Sequence, residues 1–206
     1  MSQYDRDFRL SKDVMPSRYE LRFELDLDTW TSKGWARITL RVARPVRELV
    51  LHAVDLDIAT VAIEGAPLED TRVEREAQVV VLRFAREIPA GERTLEIAWA
   101  GGIRESLRGL YRSVRGEERY AATQFEAADA RRAYPCFDEP EFKARFSLEL
   151  VYPSGNAAIA NMPIVSSEEE GGGRTRTRFR ETPLISPYLL AFTVGPYECT
   201  PEAVTP

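Results

Sequence analysis

The sequence predicts an all-β domain, mainly antiparallel and sandwich-like, with short helical turns. Three observations predict it. Apolar and polar residues alternate with a period of two along most of the chain, as in half-buried strands. Turn signals rich in Gly, Pro, Asn and Asp recur between those runs at short spacing. No window sustains the 3.6-residue apolar period of an amphipathic helix.

Residues 17–27 form the clearest strand. Tyr19, Leu21, Phe23, Leu25 and Leu27 face one way; Glu20, Arg22, Glu24 and Asp26 face the other. Residues 28–34 read as a polar turn. Residues 35–42 alternate again, with Ile38, Leu40 and Val42 inward and Arg37, Thr39 and Arg41 opposite, placed to pair with the acidic face of the first strand. Pro45 punctuates, 49–51 starts a third strand, and 58–63 is a fourth that ends at Gly65 and Pro67. The Val-Val-Val-Leu run within 78–84 predicts a strand covered on both faces. Residues 94–99 set Leu95, Ile97 and Trp99 against Glu96, and Gly101-Gly102 ends that strand.

Residues 110–114 and 120–126 flank Arg115-Gly116-Glu117-Glu118, the spacing of a hairpin with a short Gly-containing loop. A strand over 145–152 turns Phe146, Leu148, Leu150 and Tyr152 inward, and a turn follows at 153–156. Then come a short strand at 157–161, a charged Gly-rich loop tip at 168–173 and a solvent-facing strand at 174–182. A buried apolar segment follows at 188–194. The domain is expected to span 1–200, with 201–206 as a linker.

The length of 206 residues is ample for a real core. Apolar content of 44% and charged content of 30% are ordinary for a globular protein. A net charge of -5 argues against general attraction to nucleic acid or anionic lipid. No apolar run approaches the ~20 residues that span a bilayer, and the first residues lack a signal peptide's apolar core. Cys136 and Cys199 do not make a disulfide framework. These features predict a cytoplasmic protein with reduced thiols and neither membrane nor nucleic acid as partner.

The stretch TQFEAADARRAYPCFDEP, residues 123–140, breaks the pattern around it. It begins as a strand, with Thr123 and Phe125 on one side and Gln124 and Glu126 on the other. Then alternation stops. Asp129 is placed to cap a short helical turn over 130–133 with its carboxylate, and Pro135 prevents that turn from growing. Pro140 suits the first position of another turn. Carboxylates crowd with Arg131 and Arg132 into irregular backbone at a strand end, a setting for ion-pair networks and binding sites alike.

TQFEAADARRAYPCFDEPEFKARF, residues 123–146, closely resembles a signature of the aminopeptidase N family of zinc metallopeptidases, which includes the leukotriene hydrolases. Two weaker passages fit it: LVLHAVDLDI at 49–58, and SPYLLAFTVG at 186–195, which resembles the family's strand just before its catalytic domain. The resemblance covers essentially the whole chain. It implies the saddle-shaped, mainly antiparallel β domain that starts these enzymes. It also implies a zinc-dependent parent that removes N-terminal amino acids from peptides, with this chain's own catalytic domain as its partner. In the family, the residue at the position of Glu126 stands at the cleft edge and holds the peptide's free α-amino group. An exopeptidase must recognise a chain end, and a fixed carboxylate reads an ammonium group well. Gln124, on the same face, would orient Glu126 or line the cleft. Asp129, Arg131, Arg132, Asp138 and Glu139 would lock the loop and hold Glu126 in place.

The family's zinc site uses H-E-x-x-H on a helix plus a further glutamate, beside a G-x-M-E-N loop; neither motif occurs here. One histidine and two cysteines offer no metal-ligand spacing, so no metal ligand and no catalytic residue is expected in this chain. His52 is expected to be a satisfied strand histidine, and nothing in the sequence places Cys136 near it. Gly171-Gly172-Gly173 reads as a flexible tip, not a phosphate loop, and Trp30, Trp35 and Trp99 as packing residues. Two other readings stay open. One is a non-catalytic relative in which the fold is a scaffold for partners. The other is a free-standing β-sandwich module, for carbohydrate, which an exposed aromatic strip would favour.

Overall fold

Alternation makes the first strand and buries one side of it. Tyr19, Leu21, Phe23 and Leu25 are each at most 2% exposed, while Glu20, Arg22 and Glu24 stay on the outer face. In a computed structural model, residues 9–198 are described. They form β1 (Val14–Asp26), β2 (Thr31–Val42), β3 (Val46–His52), β4 (Leu56–Ile63), β5 (Leu68–Glu74), β6 (Val79–Ile88) and β7 (Gly91–Gly102). Then follow β8 (Gly109–Arg115), β9 (Glu118–Gln124), β10 (Arg145–Pro153), β11 (Ala157–Ala160), β12 (Ile164–Gly171), β13 (Arg174–Phe179) and β14 (Phe192–Gly195). Two single 3-10 turns, Ala130–Arg132 and Pro187–Leu189, are the helical pieces among the described residues.

The strands make three open sheets: a 7-stranded one ordered β12-β13-β10-β1-β2-β7-β4, a 4-stranded one ordered β11-β14-β9-β8, and a 3-stranded one ordered β3-β6-β5. Pairing is antiparallel except between β1 and β10, which run parallel with Tyr19 opposite Phe146 and Phe23 opposite Leu150. A parallel pair cannot be closed by a tight turn. Here the whole of β2 to β9, with the loop after it, is the crossover.

Several expectations shift. The first turn is confined to 27–30, and residues 31–34 belong to β2, where they pair with Phe23 to Asp26. The Asp26 carboxylate accepts the backbone N–H groups of Asp28 and Thr29 at 2.8 and 2.9 Å, which tightens that turn. β5 and β12 were not legible, because nearly every residue in them is exposed on both faces and no alternation exists to read. Glu168 to Glu170 therefore lie in β12 rather than in a loop tip; β12 ends at Gly171, and only Gly172 and Gly173 turn. β13 stops at Phe179, β9 stops at Gln124, and Leu189, expected inside, is 48% exposed. The double-sided burial expected near residue 80 holds: Val79, Val80, Val81 and Leu82 are at most 3% exposed. Cys199, the 201–206 linker and the boundary at residue 200 lie outside the described residues.

The outer face of the largest sheet is laced with charge. Arg37 reaches Glu96 at 2.8 Å and Glu20 at 3.7 Å, and Arg22 and Arg178 converge on Glu149 at 2.8 and 2.6 Å. The exposed pairs of Arg37 contribute little to stability. The core sits beneath, where β1 and β7 of this sheet meet β14 of the 4-stranded one. Tyr134 stands at its centre, with ring centroids 6.1 Å from Tyr19 and Phe23, 6.5 Å from Trp99 and 6.0 Å from Phe125. Phe23 in turn packs on Phe192 at 5.0 Å. The irregular 123–140 stretch thus feeds an aromatic ring into the junction of two sheets.

Candidate substrate-anchor site

The site begins with the β8–β9 hairpin, closed by Gly116-Glu117 with Gly116 at φ 62°. Residue periodicity along β9 puts Tyr120, Ala122 and Gln124 on one face. That face borders a groove of about 1120 Å³ lined by Tyr111, Ser113, Tyr120, Ala122 and Tyr197. Gln124 pairs with Gly109 at the far end. A Cβ on Gly109 would stand 2.5 Å from the Arg132 Cβ, and its φ is +68°, so only glycine lets the 3-10 turn pack there.

Phe125, 1% exposed, dives into the core beside Tyr134. Glu126 is thereby left outside, exposed, just past the strand end. Its backbone N–H donates to the Gln124 Oε1 at 3.4 Å, and its bond to Ala127 is cis. The Glu126 carboxylate makes no hydrogen bond or ion pair with any described residue.

The loop beyond it is held from several directions. The Asp129 N–H donates to the Phe125 carbonyl at 2.9 Å. Asp129 sits at the start of the 3-10 turn, but its carboxylate does not cap it; it accepts from Arg132 Nε at 2.7 Å instead. With a guanidinium both partners of the bond are charged, whereas a backbone N–H is neutral, which favours the Arg132 pair over the cap. Arg131 is the hub. Its Nε donates to Asp138 Oδ2 at 2.9 Å, its backbone N–H to the same oxygen at 3.2 Å, and its Nη2 to the Asp138 carbonyl at 3.0 Å. Its Nη1 donates to Gln78 Oε1 at 3.0 Å. The two charged side chains are 11% and 2% exposed. Burial pushes the Asp138 carboxyl above its ordinary range, and the Arg131 bonds pull it back only in part.

The far end of the loop is tied to β3. His52 and Cys136 exchange backbone hydrogen bonds of 2.8 and 3.1 Å, and the Val54 N–H donates to the Arg131 carbonyl at 2.9 Å. The Asp138 N–H donates to His52 Nδ1 at 3.2 Å. His52 is 2% exposed; burial, then the charge on Arg131, hold its pKa down at about 3, so the ring is neutral. Elsewhere, Trp99 Nε1 donates to the Ala133 carbonyl at 2.9 Å, and the Phe137 N–H donates to the Tyr19 hydroxyl at 3.2 Å.

The fold therefore pairs His52 with Cys136, which sequence spacing gave no reason to expect. The pair is not a nucleophile and base: burial raises the Cys136 thiol well above its usual range, and His52 Nδ1 is already engaged. Glu139 is placed apart from the clamp. Its Oε1 accepts the Leu10 N–H at 2.8 Å, tying down the segment before β1. Asp129 with Arg132, and Arg131 with Asp138, are brought together; Gln78, His52, Tyr19 and Gly109 are contributors that sequence reasoning missed. Among the described residues, no group of three His, Cys, Asp or Glu side chains could hold a metal ion. No described helix is long and apolar enough to cross a membrane.

Fold and site together define a class: an all-β, antiparallel-dominated domain whose hairpin strand ends in an unpaired carboxylate on a clamped loop. Residues 15–189 match the Peptidase M1 N-terminal domain, and the chain belongs to that family. It is 41% identical over 196 residues to Aminopeptidase M1-D of Oryza sativa subsp. japonica, covering 92% of this chain and 22% of that protein. It is 33% identical over 192 residues to Aminopeptidase N of Acetobacter pasteurianus, covering 91% of this chain and 54% of that protein. It is 34% identical to human Endoplasmic reticulum aminopeptidase 1 over 92% of this chain and 22% of that protein. The chain thus spans only 22–24% of the length of the plant relatives it matches.

Proposed function

We propose that this chain is the N-terminal domain of a zinc-dependent aminopeptidase that removes N-terminal amino acids from peptides. Its share is a wall of the cleft and the anchor for the substrate's α-amine. The observation that carries the reading is the Glu126 carboxylate: exposed, without an internal partner, and set on backbone whose neighbours are clamped. A carboxylate already paired inside the protein could not offer its charge to an ammonium group. Gln124 orients the Glu126 backbone from the same strand face, and the groove along Tyr111, Tyr120 and Ala122 is the wall. Arg131, Asp138, Asp129 and Arg132 keep the loop in one position.

The described residues do not fit a zinc site, so zinc would be held by a catalytic domain, the partner of this one. When bound there it would supply a Lewis acid and an activated water. Binding and orienting the chain end is what these residues do. Cytoplasmic placement is proposed from the sequence and is checked by cell fractionation.

The test is Glu126→Ala in the parent enzyme, with matched peptides bearing a free or an acetylated amine. Losing one charge-assisted hydrogen bond should lower kcat/KM for free-amine peptides roughly tenfold to a hundredfold. Glu126→Gln should cost less, because an amide oxygen still accepts. Acetylated peptides should be poor substrates and lose almost nothing further. Equal slowing of both peptide types, or of neither, contradicts the reading.

A further inference from the structure

We infer that His52, on a different sheet from the strand that leads into Glu126, is a positioning residue for the amine anchor: its unprotonated Nδ1 holds the far end of the loop whose near end carries Glu126. The inference rests on the amine-anchor reading above.

A run of hydrogen bonds and adjacent residues links the two. His52 Nδ1 accepts the Asp138 N–H. Asp138 fixes both the side chain and the backbone of Arg131. Arg131 lies in the same 3-10 turn as Arg132, which holds Asp129. The Asp129 N–H bonds the carbonyl of Phe125, the residue before Glu126. Release at the His52 end leaves the Asp138 N–H without its acceptor and loosens the segment that carries the carboxylate orienting the turn.

Histidine suits this place for a specific reason. The Asp138 N–H is buried and needs an acceptor. The carbonyl of His52 itself is already taken by the Cys136 N–H. A side-chain acceptor reaches across from β3, and it must carry no positive charge beside the Arg131 guanidinium. A neutral imidazole does both, with its proton on Nε2. Gln78 supports the same hub from beside β6, through the Arg131 Nη1 bond. Asparagine would place an oxygen near the reach of Nδ1; glutamine would carry it too far, and leucine offers none.

The experiment uses the full-length enzyme with His52→Leu, His52→Gln, His52→Asn and Glu126→Ala, each assayed on free-amine and acetylated peptides. The preference for the free amine should fall roughly threefold to tenfold in the Leu and Gln variants. It should return to within about twofold of the parent in the Asn variant. Amide hydrogen exchange should show Asp138 protected in the parent and the Asn variant and unprotected in the Leu and Gln variants. Unchanged preference in a folded Leu or Gln variant overturns the inference, as does an Asn variant no better than Leu. Should Glu126→Ala leave the preference intact, the amine-anchor reading fails by itself. Exchange then decides the remainder: full protection of Asp138 in the Leu and Gln variants overturns the holding role of His52, and its loss supports it.

Discussion

His52 also makes the folded domain sensitive to acid, and the size of the effect follows from its surroundings. It is the one histidine of the chain, so no other imidazole obscures its titration. Burial and the facing Arg131 guanidinium lower its pKa from 6.5 to about 3; Cys136 and Asp138 complete its setting. The unfolded ring takes up a proton near pH 6.5 and the folded ring not until about pH 3. Between those values the unfolded state binds more protons, so stability falls as pH falls, by about 1.4 kcal/mol per unit once well below 6.5. Integrated from pH 6.5 to 4.5, the loss is about 2 kcal/mol. The assay is urea unfolding followed by tryptophan fluorescence at both pH values, for the parent chain and for His52→Asn. Carboxylates titrate in both proteins and largely cancel in the comparison. The pH-dependent loss should be smaller in His52→Asn by about 2 kcal/mol. Equal losses in the two proteins, to within about 0.5 kcal/mol, would refute the reasoning.

Asp138→Ala leaves the Arg131 charge buried and short of its main partner, and should cost about 3 kcal/mol or more. That corresponds to a fall in Tm of roughly 6–12 °C, and the double replacement Arg131→Met with Asp138→Leu should recover much of it. Gly34→Ala would set a Cβ 2.2 Å from the Trp99 ring and should destabilise by about 1–3 kcal/mol in a thermal melt; an unchanged melt would mean the ring yields freely. The chain alone should take up no stoichiometric zinc, and metal analysis showing one zinc per molecule, removable by chelator, would contradict this.

Strand-by-strand character was legible wherever one face is buried. β1 and β10 announced themselves through Tyr19, Leu21, Phe23, Phe146, Leu148 and Leu150, because period-two alternation records burial of a strand's own face. β6 was legible as a run of valines for the complementary reason, that both its faces are covered. β5 and β12 carried no such record, being exposed on both sides. The break in alternation after residue 126 marked the candidate site, and the exposure of Glu126 follows locally from the burial of Phe125 beside it.

What lies against these elements was decided only by the tertiary structure. The parallel seat of β10 beside β1 joins residues on either side of a long crossover. The acceptor for the Asp138 N–H comes from His52, 86 positions earlier, and a further acceptor for Arg131 from Gln78, 53 positions earlier. Alternation and turn chemistry are properties of neighbouring residues, whereas the partner of a buried N–H or guanidinium is set by which sheets close over it. The sequence by itself thus determined the strands that bury at least one face, the acidic loop and the outward carboxylate. The physical need to satisfy that loop's buried polar groups, met by side chains from a distant sheet, placed the carboxylate where it stands.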